Sequence, residues 1–168
     1  MSEFKAHEQP EGDTLRLAFE GTIDEDVVFP PIDPSKFKKI VLNLKAVKSI
    51  NSVGIREWLN WIRPLAEKAD FVLENCPKAV VFQFNMVEGF LPARSTVSSF
   101  FVPFYCEKCD KEDSVLFNVG KEIKANAGKI EIAFDVKASG ICEDKANAAS
   151  CEMEMDVTEA KYFQFLKR

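Results

Sequence analysis

Between residues 14 and 32 the chain reads TLRLAFEGTIDEDVVFPPI, an imperfect alternation of apolar and polar positions punctuated by Gly21 and the Pro30-Pro31 pair. That pattern predicts two short strands around an acidic turn. The segment before it, residues 1–13, is polar and reads as a flexible leader. FKKIVLNL, which follows, is more continuously apolar, as suits a strand in the middle of a sheet covered by helices. Beyond it Ile55, Trp58, Leu59, Ile62, Leu65, Ala66 and Ala69 recur at the i, i+3, i+4, i+7 spacing of one buried helical stripe. Pro64 predicts a kink in this helix. Trp61 falls off the stripe by about a quarter of a helical turn.

FVLENC then reads as another strand, and Pro77 suits the first turn of a second helix running to about Val87 and closed by Gly89. Val80, Val81, Phe84 and Val87 make one apolar stripe of that helix; Ala79, Phe82 and Met86 make another on roughly the opposite face. Such a helix is either sandwiched between two layers or presents Phe82 and Met86 to a partner. STVSSFFVPFYC is the last strand of this part, with Pro103 marking an edge or a strand end.

At Tyr105 the character of the chain changes. SVLFNVG and KIEIAFDVKA read as strands around a glycine-containing connection. In DVTEAKYFQFL, Asp156 and Glu159 have capping-box spacing, and Tyr162, Phe165 and Leu166 lie on one helical stripe expected to pack on the protein itself. The division predicted is a leader over 1–13, an α/β domain over 14–104, and a β-rich module with a C-terminal helix over 105–168.

Composition narrows the functional classes. A chain of 168 residues, 46% hydrophobic, fills one core or a core plus an appendage. A formal charge of -5 argues against nucleic acid as the main partner, which needs clustered Lys and Arg. No apolar run approaches the roughly 20 residues of a transmembrane helix, and MSEFKAHEQPEGD has no signal-peptide core, so a cytoplasmic location is expected. His7 is the only histidine and lies in that polar leader. Without a second histidine, a phosphate-cradling glycine loop or a carboxylate pair distinguished by spacing, the pattern predicts no enzyme.

The joint between the third strand and the first helix, NSVGI, carries the most informative residues. Ser52 there is a helix cap, a phosphate acceptor or a ligand contact: an N-cap hydroxyl contributes about 1 kcal/mol, while a helix N-terminus also receives an anion well. With the strand and helix order around it, and with NSVGIREW, CPKAV and NMVEGF in succession, the first hundred residues resemble a STAS domain. The resemblance is to anti-sigma factor antagonist-like proteins, of a delta-proteobacterial type with a cysteine-rich tail. It implies an α/β fold, a STAS-like sheet covered by helices, and a bacterial signalling role in which the loop around Ser52 binds a protein partner. In that family the loop reads Asp-Ser-Ser/Thr-Gly-aliphatic and a partner kinase phosphorylates the first serine. Ser52, Gly54 and Ile55 match; Asn51 and Val53 depart. A phosphate on Ser52 adds about -1.5 to -2 charges, enough to repel an acidic partner surface. The docking residues expected are Asn51, Ser52 and the off-stripe Trp61, with Phe82 and Met86 as the alternative face.

Cys106 and Cys109 form a CxxC on a predicted knuckle turn, so both thiolates reach one metal ion. Cys142 and Cys151 are separated by eight residues, EDKANAAS, and the CEMEMD that begins at Cys151 resembles the chain leaving a second knuckle in the family above. Four thiolates would make a closed, structural Zn2+ site in a zinc-ribbon-like module with little core of its own. The competing readings are unrelated buried cysteines and a redox pair, the latter disfavoured because this CxxC leads into an acidic turn and opens no helix. Cys76 reads as a lone packed thiol. The protein expected is a non-enzymatic regulator or adaptor whose partner is a kinase or anti-sigma-like protein. Two alternatives stand beside it: a non-catalytic subunit of a transport or other complex, and a small-ligand sensor with a pocket lined by Phe82, Phe84 or Met86.

Overall fold

The computed structural model describes residues 2–134 and 153–168. Two compact units divide the chain, Met1–Phe100 and Phe101–Arg168.

The first unit is a mixed α/β structure built on five strands: β1 (Lys5–Glu11), β2 (Thr14–Ile23), β3 (Lys39–Ile50), β4 (Asp70–Glu74) and β5 (Ser95–Val97). They lie in sequence order, β1 antiparallel to β2 and the rest parallel. Helix α1 (Ser52–Ala66) connects β3 to β4, and α2 (Lys78–Met86) connects β4 to β5. The continuously apolar third strand is the central one, as its composition suggests. On β2, Leu15, Leu17 and Phe19 are buried while Arg16 and Glu20 are exposed, so one face of the sheet carries the core.

The start of the chain differs from expectation. Residues 5–11, read as a flexible leader, form edge strand β1, and residues 14–32 contribute one strand followed by an irregular segment over 24–38. β1 is almost wholly exposed and has no apolar face to bury, so periodicity gives it no signal. The hairpin turn Gly12-Asp13, with Gly12 at φ 63°, was the available cue. His7 sits exposed on β1 with Nε2 3.5 Å from Glu20 Oε2.

Gly21, at φ 96°, admits the chain ahead of β1: a Cβ there would lie 2.2 Å from the Glu3 carbonyl oxygen. Ser2 is thereby held against β2, its carbonyl accepting from Thr22 N–H at 3.1 Å. Phe4 then meets Phe19 and Phe29 edge-on at 5.1 and 5.3 Å between centroids.

The segment Ser95–Cys106, expected as one strand, is two: β5 in the five-stranded sheet and β6 (Ser99–Cys106) in a second sheet. The break sits where Ser98 N–H reaches the Leu73 carbonyl at 2.9 Å and the buried Ser99 hydroxyl accepts from Asn75 N–H at 2.8 Å.

In the second unit β6 is the middle of a three-stranded sheet, between β10 (Met153–Met155) and β7 (Lys111–Asn118). Pro103 therefore lies inside a central strand, against the edge or strand end expected of it; its carbonyl accepts from Asp156 N–H at 2.9 Å. The predicted connection contains a further strand, β8 (Ile123–Asn126), which forms a hairpin with β9 (Lys129–Ile132), the start of the expected strand KIEIAFDVKA, turning through Ala127 and Gly128, both at positive φ. Phe104, Phe117 and Phe134 pack together at 5.2–6.2 Å, and Phe117 stacks on Phe163.

The C-terminal helix is shorter than its pattern implies. A single turn, α3 (Glu159–Tyr162), is entered at Thr158 and leads into a 3-10 turn over Gln164–Lys167. The change of helical pitch shifts the buried set. Tyr162 and Phe165 are buried as expected, Leu166 is half-buried, and Phe163 joins the core. Tyr162 donates its hydroxyl hydrogen to the Phe101 carbonyl.

Candidate functional site

The β3–α1 joint is fixed from three directions. Asn51 N–H donates to the Ile23 carbonyl at the end of β2, 3.1 Å away. Its side chain is the N-cap: Oδ1 accepts from Gly54 N–H at 2.9 Å, and the Asn51 carbonyl accepts the first helical bond from Ile55 N–H. Its other side-chain atom, Nδ2, donates to Glu25 Oε2 at 2.7 Å, tying the joint to the loop after β2. Glu25's own backbone N–H and the Asn51 amide hold its carboxyl below the usual carboxylate range.

This geometry gives asparagine at position 51 a physical meaning. An aspartate at position 51 could cap Gly54, but it has no donor for Glu25 and would set two carboxylates side by side. Asparagine does both jobs. Gly54 is buried against Ile23, where a Cβ would stand 2.1 Å from the carbonyl oxygen and 2.5 Å from its carbon. The glycine is thus required for the close approach of helix to strand.

Ser52 is left with neither task. It is the first residue of α1, exposed, and its hydroxyl takes part in no hydrogen bond among the described residues. The residues near it on the β2–β3 loop are acidic: Asp24, Glu25 and Asp26, of which Asp24 is buried and accepts from Asp26 N–H through Oδ1 at 3.1 Å.

Trp61 is engaged inside the first unit. It is half-buried, stacks on Phe29 at 5.1 Å with ring planes 22° apart, packs against Phe19, and donates Nε1–H to the Pro30 carbonyl at 2.9 Å. Lying off the main stripe, it anchors the β2–β3 loop, while on-stripe Trp58 stacks on Phe90 at 4.8 Å and donates to the Phe90 carbonyl. Phe82 and Met86 are 39% and 77% exposed, with Lys78 Nζ 5.7 Å from the Phe82 ring centroid; Val80 and Val81 of the same helix are buried. Phe84 is half-buried.

In the second unit Cys106 ends β6, buried, and Cys109 lies in the turn before β7. That turn is braced by the Tyr105 hydroxyl on Asp110 Oδ1 at 2.7 Å, a bond that raises the phenol's pKa. The CxxC thus occupies a tight turn between two strands, a placement that fits a knuckle. Cys142 and Cys151 lie outside the described residues, and no group of three metal-binding side chains forms among the described ones. Cys76 is buried, its pKa pushed well up by desolvation, which makes it a poor nucleophile.

No helix among the described residues is long and apolar enough to cross a membrane. Neither a scan against protein-family models nor a search of curated proteins finds a match to this chain.

Proposed function

We propose that the first unit is a STAS-like domain and that the protein is a non-enzymatic bacterial regulator or adaptor, acting in the cytoplasm, which docks a protein partner on the loop around Asn51 and Ser52. The observation that carries this reading is the division of labour at the joint. Asn51 caps the helix and Gly54 permits the packing, so Ser52 is an exposed hydroxyl at a helix N-terminus with no structural duty. A kinase is the partner that such a residue suits. Trp61 supports the surface from beneath by holding the loop, in place of contacting the partner.

The acidic loop gives the expected weakening a route within the chain itself. Glu25 is hydrogen-bonded to Asn51, the residue before Ser52, so a phosphate on Ser52 would add negative charge next to that link and weaken it. Charge at Ser52 therefore weakens docking by loosening the loop that shapes the surface. Measuring capture of the cellular partner by wild type, Ser52→Ala and Ser52→Asp, each verified as folded, tests it. Loss with aspartate and retention with alanine supports the reading; equal capture by all three assigns Ser52 no regulatory role and favours a subunit of a larger complex.

For the second unit we infer a zinc-ribbon-like module with one structural Zn2+ held by Cys106, Cys109, Cys142 and Cys151. The strand turn that carries the first two fits that role, and Met153, two residues after Cys151 in sequence, is the β10 residue in register with Cys106. Elemental analysis of freshly purified protein tests it, with one zinc per chain expected and its loss in Cys106→Ser. A metal-free, fully folded chain would overturn the assignment.

A further inference from the structure

The segment ahead of β1 is built into the loop that shapes the docking surface. Its seat is Gly21, which lacks a Cβ and so leaves room for the Glu3 carbonyl to lie flat against β2. On one side of that seat Ser2 is bonded to Thr22, carbonyl to N–H at 3.1 Å and hydroxyl to hydroxyl at 3.5 Å. On the other side the half-buried Phe4 ring meets Phe19 of β2 and Phe29 of the β2–β3 loop. Phe29 is where that loop enters the core. Its ring stacks on Trp61 and meets Trp58 edge-on at 6.0 Å, and the Pro30 carbonyl beside it accepts from the Trp61 indole. Residues 24–38 form neither helix nor strand, so these few anchors decide where the loop lies. The span from Phe29 back to Glu25 is short and braced: Val27 N–H reaches the Asp24 carbonyl at 3.3 Å, and Asp26 N–H its carboxylate at 3.1 Å. At the end of that span Glu25 holds the Asn51 side chain.

We propose that residues 2–4 are a strap that sets the docking loop, with Phe4 as its positioning residue. With the strap seated, Phe29 is held on Trp61 and Glu25 reaches Asn51. With the strap lifted, Phe29 loses one wall of its site and the Glu25–Asn51 link opens with it. The choice of Phe4 follows from where the rings around Phe29 come from. Phe19 belongs to β2 and both tryptophans to α1, whereas Phe4 lies in a segment that is neither helix nor strand. It is the wall that withdraws without dismantling the sheet or the helix. Linkage makes the coupling mutual: whatever loosens the Glu25 end of the loop loosens the strap by the same factor. As a control on partner docking, the strap rests on the reading above. The coupling between strap and loop is internal to the chain and is measured without a partner.

The test is amide hydrogen exchange on the isotope-labelled full chain. Thr22 N–H, bonded to Ser2, reports the strap; Asp26 and Val27 N–H, both bonded to Asp24, report the loop. Phe4→Ala is expected to speed exchange about tenfold at Thr22 and about fivefold at Asp26 and Val27, with the Leu42 and Leu73 amides of β3 and β4 changed less than about twofold. Phe4→Leu, which keeps most of the apolar bulk, should return the loop amides towards wild type. In the reverse direction Glu25→Ala, at an exposed position, should speed Thr22 exchange about fivefold. That response is one that Phe4 as mere core filling would not produce. Should Phe4→Ala fail to fold, Phe4→Leu and Glu25→Ala carry the comparison. Faster exchange at Thr22 with Asp26 and Val27 unchanged, acceleration shared equally by Leu42 and Leu73, or a Thr22 amide indifferent to Glu25→Ala would each overturn the proposal. Ser52 variants that leave docking unchanged would not alter these exchange rates, so the strap and the docking reading fail separately.

Discussion

Replacing Gly54 with alanine puts a single methyl group where the structure has no room. The new Cβ would lie 2.1 Å from the Ile23 carbonyl oxygen, 2.5 Å from its carbon and 2.9 Å from Ile23 Cγ2. Two of these neighbours are backbone of a core strand, so the start of α1 must retreat by about 1 Å to restore ordinary contact. That retreat strains the Asn51 N–H bond to the same carbonyl and the Gly54 N–H bond to Asn51 Oδ1. Overpacking, a weakened cap and a weakened buried hydrogen bond together cost on the order of 3 kcal/mol. Alanine's helical preference over glycine returns about 0.5–1 kcal/mol. The net loss expected is about 2 kcal/mol, or roughly 10 °C in the midpoint of a unit this size. Both tryptophans, Trp58 and Trp61, belong to the first unit, so their fluorescence during thermal or urea unfolding follows that unit. Gly12→Ala is the control. Glycine 12 also has a positive φ, yet nothing lies within 4 Å of its would-be Cβ, so only the conformational cost of about 1 kcal/mol remains. A neutral or stabilised Gly54→Ala would show that helix propensity governs this position and would refute the close approach.

Asn51→Asp should destabilise the first unit although aspartate is itself a good cap, and Glu25→Gln in the same chain should restore most of the loss; urea midpoints of the four proteins in that cycle check the coupling. Trp61→Phe keeps the stack on Phe29 but removes the hydrogen bond to Pro30, and is expected to cost about 1 kcal/mol in the same assay. Because the folded-state pKa of Glu25 is lowered, its link to Asn51 is fully present above the ordinary value of 4.5 and is lost as pH falls through the lowered value; the Asn51 side-chain amide resonances should move in that acid range and stay fixed at neutral pH. Tyr162→Phe leaves the Phe101 carbonyl without its donor and should lower the stability of the second unit by about 1 kcal/mol, read from the amide exchange of β6.

The elements with a strong apolar period were legible from the sequence. The α1 stripe, the central β3 and the second helix fall where their patterns put them, because burial of one face governs local structure there. β1 was invisible for the opposite reason: as an exposed edge strand it is specified by backbone pairing and by a two-residue turn, which period does not register. Trp61 shows the limit of reading exposure from helical phase alone. Its place off the stripe is correct, but the β2–β3 loop comes over to cover it, a tertiary contact that no window along α1 contains. Pro103 tells the same story for strands, since the edge it marks locally is filled by β10 from fifty residues on. The Asn51 departure from the STAS pattern was visible as a difference. Its partner, Glu25, twenty-six positions away, was not.

The central claim is that a protein docks on the face at the N-terminus of α1 and that charge at Ser52 weakens it. The most direct measurement places a photo-cross-linking amino acid at Arg56, exposed one turn along the helix from Ser52, and compares adducts in cells that produce the protein. A second chain carries the cross-linker at Phe82. The account predicts a discrete adduct from position 56, reduced at least fivefold by Ser52→Asp and retained with Ser52→Ala. An adduct from position 56 that Ser52→Asp leaves unchanged, or one that forms from position 82 alone, would contradict it.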